Sequence, residues 1–276
     1  MSPRILVTGA TGKVGRHLVQ QLSQAGQTVR AGAHSPHKAG LLAAPGVEVV
    51  PFDFDDDASL RAALQGIETL VLITPPDARQ VDWAIRTLDL AKAAGVKRVV
   101  RMSVLAAAME PGIRLGRWHR TVERYLQGSG LEWTIVRPGP FMQNFLGMYP
   151  RGEAGFALPV GAASVNHIHV EDVARALSAV TLSRGHAGKV YMVTGSQPLP
   201  LRDAVERLSQ DFRRSTPAEA REAWLESGRP AWFVEVLLEL FAAFDTGAVG
   251  METSTLEDLT GSKARGFEAF AEEQAA

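Results

Sequence analysis

Residues 4–26, RILVTGATGKVGRHLVQQLSQAG, decide the fold of this chain. The apolar run Ile5–Val7 predicts a short buried strand, and a helical pattern that ends at Gly26 follows three glycines spaced as GxxGxxG. A strand, a glycine turn and a helix in this order form a phosphate site for a dinucleotide, because the helix N-terminus presents N–H groups and positive dipole charge. The alternative is a glycine-rich turn that serves packing only.

Each glycine of the turn has its own expected role. Gly9 permits the tight turn, and Gly12 lets backbone approach a pyrophosphate without a Cβ atom in the way. Gly15 lets the helix pack closely against the strand. The position of the motif between a clear strand and a clear helix favours the nucleotide interpretation.

Composition excludes several classes of protein. The chain has 276 residues, 46 % hydrophobic and 21 % charged, which is typical of a globular protein. Its net charge of −1 gives no indication of a nucleic-acid or membrane partner. It has no cysteine, which excludes disulfides and thiol catalysis. Without a signal-peptide pattern or a long apolar run, we expect a cytoplasmic protein.

Strand and helix patterns alternate through the first half, which predicts an α/β, Rossmann-type doubly wound parallel sheet. We expect a dinucleotide-binding domain over residues 1–150. A smaller, mostly helical region over 151–276 would cap the substrate, with 171–195 as a segment that could return to the main sheet. The predicted strands are 5–7, 28–33, 47–52, 69–74, 98–103 and 133–137, and the predicted helices are 57–64, 77–94 and 114–127.

The end of the second strand bears on the choice of dinucleotide. An acidic residue there would bind the ribose 2′-hydroxyl of NAD, but residues 17–46 contain none. This favours NADP(H), with NAD(H) as the alternative, and a solvated basic loop is the other interpretation. The basic residues of the stretch are Arg30, His34, His37 and Lys38.

Two further strand ends supply candidate cofactor contacts. Asp53 would accept a hydrogen bond from the adenine amino group, with Phe54 against the ring, although an acidic loop that starts a helix explains the same residues. Thr74 and Pro75 end the fourth strand at the expected cofactor edge, where the proline has strand termination as its alternative role.

Several segments together resemble one family. They include ILVTGATGKVG at 5–15, AAGVKRVVRMSVLAA at 93–107, WHRTVERYLQGSGLEWTIVRPGPFMQN at 118–144 and HIHVEDVARAL at 167–177. The chain resembles the NmrA-like branch of the atypical short-chain dehydrogenases, especially its quinone-reductase and azoreductase-type members. The resemblance implies a Rossmann domain, an NADPH-type cofactor and a small-molecule hydride acceptor.

The resemblance also implies which residues hold the cofactor. His34 stands where the family often has an arginine for the 2′-phosphate, and Lys38 would compensate for this departure. The pyrophosphate would be held by Gly9, Thr11, Gly12 and Val14, with Lys13 and Gly15 in the same turn.

The catalytic pair of ordinary short-chain dehydrogenases is missing. None of the three tyrosines is followed four residues later by lysine, so alcohol–ketone chemistry by that route is not expected. The nearby candidates are Ser103, at the end of the fifth strand, and His119, which in the resembling reductases occupies a helix position facing the cofactor. His119 would donate a proton or orient the substrate; a packed or surface histidine is the alternative. Glu123 is expected to be a helix-dipole or packing residue.

Phe141, Met142 and Asn144 follow the Pro-Gly-Pro break and are expected to face the nicotinamide end, where they would bind a flat aromatic substrate. We predict no metal site, because His167 and His169 lack an evident third ligand. The predicted function is NAD(P)H-dependent reduction of a small electron-poor substrate such as a quinone or azo compound. The alternative is a non-catalytic NAD(P)-binding redox sensor that acts through a protein partner, and a homo-oligomer is left open.

Overall fold

The computed structural model describes residues 4–35 and 40–275. The chain divides into two compact units, each built from segments that alternate along the sequence. Both units contain residues from either side of position 150, where the sequence predicts a domain boundary. Unit 1 comprises Met1–Ser103, Trp118–Arg137 and Val170–Tyr191, and unit 2 comprises Val104–Arg117, Pro138–His169 and Met192–Ala276.

Ten helices are found among the residues that the structure describes. They are α1 Gly15–Gln24, α2 Asp57–Leu64, α3 Gln80–Ala93, α4 Arg114–Gly128, α5 Val170–Leu182, α6 Leu201–Arg207, α7 Pro217–Glu226, α8 Ala231–Asp245, α9 Thr255–Thr260 and α10 Phe267–Ala275. Over this same part of the chain, none of the helices combines the length and apolarity needed to cross a membrane.

A seven-stranded sheet with the order β3-β2-β1-β4-β5-β6-β9 forms the centre of the fold. The strand pairs from β3 to β6 are all parallel, so these strands end at one common edge. The predicted α/β doubly wound sheet is confirmed, and its first six strands follow the Rossmann order. The strands are β1 Ile5–Val7, β2 Val29–Ala33, β3 Val47–Pro51, β4 Thr69–Leu72, β5 Arg98–Met102, β6 Glu132–Pro138 and β9 Lys189–Val193.

Two strands end earlier than their apolar pattern predicts. β4 ends at Leu72 and β5 at Met102, so Thr74 and Ser103 lie just beyond the sheet. Helix α3 begins at Gln80 instead of residue 77, because the Asp77 carboxylate accepts a hydrogen bond from the Arg79 N–H (2.8 Å) and forms a turn there. These short extensions leave polar groups at the carboxyl edge, where open α/β sheets bind ligands.

The glycine turn between β1 and α1 is packed without spare room. Gly9 adopts a φ of +58°, which side chains disfavour. A Cβ atom on Gly15 would lie 2.2 Å from the Gly9 carbonyl oxygen. The Thr8 hydroxyl fixes the turn to the end of β4, since it donates to the Ile73 carbonyl (2.8 Å) and accepts from the Ile73 N–H (2.9 Å).

Unit 2 contains four short strands and a core rich in aromatic side chains. Strand β7 (Phe156–Leu158) pairs with β11 (Phe212–Arg214), and β8 (Ser164–Val165) pairs with β10 (Leu199–Pro200). His167 is buried in this core, with ring contacts to the aromatic side chains Phe145, Tyr149, Phe244 and Phe267.

The close contact at Gly15 predicts a stability effect. Gly15→Ala forces the turn to shift, and we expect a loss of about 1–3 kcal/mol in the free energy of unfolding, as for other overpacked sites. Urea denaturation followed by circular dichroism measures the change. Gly128→Ala is the matched control, because a Cβ atom there meets nothing within 4 Å. Equal stability changes in the two variants would contradict the packing role of Gly15.

Burial of His167 predicts acid sensitivity. Its surroundings lower the pKa of His167 from 6.5 to about 3, mainly because burial disfavours the charged ring. Between about pH 6.5 and pH 3, His167 therefore carries a proton in the unfolded chain but not in the folded one. Over this range the free energy of unfolding falls as the pH drops, and His167 contributes about 1.4 kcal/mol per pH unit to that fall. Urea denaturation at neutral and mildly acidic pH should show this slope. His167→Gln should lower the slope of the free energy of unfolding against pH by the amount that corresponds to one proton. An unchanged slope in this variant would refute the claim that His167 is neutral in the folded protein.

Candidate active site

Polar side chains of unit 1 gather at the carboxyl edge of the central strands. Thr74 follows β4, Ser103 follows β5, and Arg137 lies near the end of β6. Arg101 reaches the same region from β5, and His119 from α4. Ligands of open α/β sheets bind at this edge, so these side chains form the candidate active site.

Arg101 is the centre of this group. Its guanidinium has no exposed surface and donates hydrogen bonds to the Leu72 carbonyl (3.1 Å) and the Thr74 hydroxyl (3.0 Å). Burial lowers the pKa of Arg101 to about 10, against the opposing effect of the Glu123 carboxylate. Arg101 is therefore a buried cation at neutral pH, and its Nε is left without a hydrogen-bond partner.

His119 lies directly against this cation. Its Nδ1 is 3.4 Å from Nη2 of Arg101, and its side chain is almost fully buried. Burial, and secondly the positive charge of Arg101, hold the pKa of His119 well below its usual value. The imidazole is therefore neutral near pH 7. This argues against the expected role as a proton donor in the imidazolium form.

Glu123 joins Ser103 to Arg137. The Ser103 hydroxyl donates to Oε1 of Glu123 (2.5 Å), and Arg137 binds both carboxylate oxygens, at 2.9 and 2.5 Å. Glu123 is only 2 % exposed, so it is a buried anion and not the helix-dipole or packing residue that the sequence suggested. Ser103 is engaged as a donor to Glu123, and its predicted catalytic role stays a prediction.

The glycine turn has features that fit a pyrophosphate. Helix α1 has no side-chain cap and no acidic residue in its first turn. Gly12 is exposed, and a Cβ atom there would lie 3.1 Å from the Gly9 carbonyl oxygen. Partial loss of hydration lowers the pKa of the neighbouring Lys13. Thr11 is half-buried, whereas Val14 is buried beneath the turn.

His34 directly follows β2, where a basic residue could contact the 2′-phosphate of NADP(H). Its side chain is exposed, with Nδ1 3.6 Å from Oδ2 of Asp53. Arg30 does not contribute to a phosphate cradle, because it binds Glu48 (2.9 Å) and the backbone carbonyls of Ala63 and Gln65 at the end of α2. Lys38 and His37 lie outside the described residues.

The adenine contacts expected from the sequence are only partly accessible. Asp53 is half-buried and accepts a hydrogen bond from the Asp55 N–H (2.9 Å). Phe54 is 8 % exposed and stacks on Trp83, with ring centroids 5.5 Å apart. Core packing covers most of the Phe54 ring, which argues against its predicted contact with adenine. Pro75 is exposed beside the buried Thr74.

The three predicted substrate residues lie in unit 2. Phe141 is half-buried and bridges to Ile168. Met142 is 1 % exposed within the apolar core, which contradicts its expected place on a ligand surface. The buried Asn144 side chain hydrogen-bonds the Tyr149 hydroxyl, so it too is engaged within its own unit.

The two histidines considered as metal ligands, His167 and His169, lie in unit 2. Over residues 4–35 and 40–275, no three or more histidine, aspartate or glutamate side chains come together in a way that could hold one. His167 instead contacts the Tyr149 hydroxyl through Nε2 (3.1 Å), and His169 lies 3.7 Å from a Glu273 oxygen.

Sequence reasoning missed Arg101 and Arg137 and misplaced Glu123. Two signals were available. Arg101 interrupts the apolar strand RVVRM at its buried end, and Glu123 follows His119 by four residues, which places both on one helix face. An arginine in a buried strand requires polar partners, so it indicates a network even before those partners are known.

Comparison with known proteins gives a consistent result. Residues 9–183 match the model of a family described as NAD(P)H-binding. The chain is 32 % identical to NAD(P)H azoreductase from Xenophilus azovorans over 99 % of its own length and 98 % of the relative. It is 33 % identical to a (4-alkanoyl-5-oxo-2,5-dihydrofuran-3-yl)methyl phosphate reductase from Streptomyces griseus, over 98 % of both chains.

A solved structure agrees along the whole chain. The NADPH complex of the NADPH-dependent quinone oxidoreductase QOR2 from Escherichia coli superposes with a TM-score of 0.88 and 28 % identity, covering 99 % of this chain and 100 % of that one. The resemblance inferred from the motifs is therefore confirmed. The chain belongs to the NAD(P)H-binding family, is similar along its whole length to an azoreductase and a quinone oxidoreductase, and is itself an NAD(P)H-dependent reductase.

Proposed function

We propose that this protein uses NADPH to reduce small, flat, electron-poor acceptors, with quinones and azo compounds as the leading classes. The observation that carries the proposal is the polar network at the carboxyl edge. It holds a neutral imidazole beside a buried guanidinium, and the chain has no Tyr-x-x-x-Lys pair. Such a site suits acceptors that need alignment and charge stabilisation more than a strong acid.

The names of the relatives support the same chemistry. One reduces azo compounds, one a quinone and one an oxo-dihydrofuran. These acceptors share an electron-poor π bond that accepts two electrons as a hydride. A bound dihydronicotinamide supplies that hydride, and the protein supplies binding, orientation and electrostatics.

The cofactor would be held by residues of unit 1 alone. The turn from Gly9 to Gly15 takes the pyrophosphate at the start of α1. His34 lies at the end of β2, where NADP-binding proteins place a cation for the 2′-phosphate. A histidine in place of arginine offers fewer hydrogen bonds, so we propose NADP(H) as the preferred cofactor with a modest margin over NAD(H).

Replacement of His34 tests the cofactor assignment. His34→Arg should tighten NADPH binding by about tenfold or more, because a charge-assisted hydrogen bond contributes about 1.5–3 kcal/mol. NADH binding should stay constant, since NADH lacks the 2′-phosphate. Calorimetric titration with both dinucleotides gives the two affinities. His34→Gln is the matched control, and the same gain for NADH as for NADPH would rule out the assignment.

An acceptor panel tests the proposed activity. Quinones, enals and azo dyes are each mixed with protein and NADPH, and turnover is read as loss of nicotinamide absorbance. We expect turnover with at least one class, and its loss in His119→Phe. Tight NADPH binding without turnover of any acceptor would contradict the proposal and favour a dinucleotide sensor.

A further inference from the structure

We propose that His119 acts as a neutral hydrogen-bond donor through Nε2–H toward the oxygen of a conjugated carbonyl acceptor, and that Arg101 is the positioning residue that fixes this tautomer. The inference rests on the proposed function and narrows its substrate class. It assigns to His119 a role that transfers no proton, and to Arg101 a role that requires no contact with substrate.

The tautomer follows from the contact between the two side chains. A guanidinium carries only donors, so Nδ1 of His119, 3.4 Å from Nη2 of Arg101, is the acceptor. The single proton of a neutral imidazole then resides on Nε2. Arg101 is held in this position by hydrogen bonds to the Leu72 carbonyl, at the end of β4, and to the hydroxyl of Thr74 just beyond it.

The charges around His119 favour the neutral ring. Arg101 faces it from β5. Glu123, four residues further along α4, is held by Arg137 from β6 and by the Ser103 hydroxyl. Two guanidinium groups and one carboxylate leave the network with a net charge of +1. A buried positive charge opposes protonation of the imidazole and attracts negative charge that develops on a bound acceptor.

This arrangement selects among acceptors. When a hydride adds to a quinone or an enone, the π-electron pair moves onto the carbonyl oxygen, and the oxygen anion later takes a proton from water. Nε2–H and the net positive charge would stabilise that oxygen anion. When a hydride adds to an azo bond, the electron pair resides on nitrogen, a far stronger base that needs a proton at once. We therefore expect quinones and enones to be reduced faster than azo compounds.

Nitrogen NMR tests the tautomer without a substrate. The protein is labelled with ¹⁵N-histidine, and the His119 signals are assigned by their loss in His119→Gln. We expect a proton on Nε2, none on Nδ1, and no conversion to imidazolium between neutral and mildly acidic pH. A proton on Nδ1, or an imidazolium at mildly acidic pH, would overturn the proposal.

Removal of the cation tests the positioning role. In Arg101→Met the ring should lose its fixed tautomer, and the pKa of His119 should rise because the repelling charge is gone, while burial continues to lower it. Thr74→Val, which removes only one anchor of the guanidinium, is the milder variant if Arg101→Met does not fold, and it should show a mixture of tautomers. A His119 signal unchanged in the folded variant would refute a positioning role for Arg101.

Kinetics separate hydrogen bonding from acid catalysis. Gln carries a neutral N–H donor but no proton to give, so His119→Gln should keep kcat for a quinone within about tenfold, whereas His119→Phe should lose about 10²-fold, as for an oxyanion donor. Equal losses in the two variants, or an azo dye reduced faster than every quinone and enone, would contradict the proposal. If no acceptor is turned over while NMR shows Nε2–H, the proposed function fails and the tautomer assignment stands.

Discussion

Burial of one guanidinium organises the functional edge of this protein. Arg101 has no exposed surface, so water is not available to solvate it and its hydrogen bonds must come from the protein. The Leu72 carbonyl and the Thr74 hydroxyl, at the end of β4, accept two of these hydrogen bonds, and His119 on α4 accepts the third. The cation thus joins two parallel strands and a helix at the edge where parallel sheets bind ligands.

The buried carboxylate of Glu123 partly balances the charge of Arg101. Glu123 would carry the opposite charge to the lysine of a Tyr-x-x-x-Lys pair, and it stands at the same four-residue spacing after His119. The structure balances this anion with Arg137, which binds both carboxylate oxygens. The chain lacks an acidified phenol with an ammonium partner, and its carboxyl edge instead carries a neutral imidazole within a network of net positive charge. Hydride transfer to an electron-poor acceptor is compatible with this arrangement, because it depends on alignment and charge stabilisation.

The sequence predicted the parts of the fold that are set by local patterns. Asp57 as a helix start and Gly66 as a stop placed helix 57–64 at its observed bounds, and the glycine spacing predicted the turn before α1. Strand ends were less accurate, since an apolar run through Ile73 continues beyond the hydrogen-bonded part of β4. At Ile73 the backbone N–H and carbonyl hydrogen-bond to the Thr8 hydroxyl instead of to a neighbouring strand. No pattern in the sequence predicts these two hydrogen bonds.

The candidate site could be predicted only in outline. Motifs identified His119 and Ser103, but their chemistry depends on partners 18 and 20 residues away in the sequence, which only tertiary structure brings together. The same limit explains Phe54, whose ring is covered by Trp83 from α3, and Arg30, which is engaged by Glu48 from the neighbouring strand. In each case a side chain that looked available for the cofactor is engaged by a neighbouring element of the fold.

Transfer of deuterium tests the central claim most directly, that this chain is a reductase that passes a hydride from NADPH to a conjugated acceptor. NADPH carrying deuterium on one face or the other of nicotinamide C4 is incubated with the protein and an enal, and the product is examined by mass spectrometry and NMR. The account predicts deuterium on a carbon of the reduced product from one face only. Product that contains no deuterium from either cofactor, or no product at all, would contradict it.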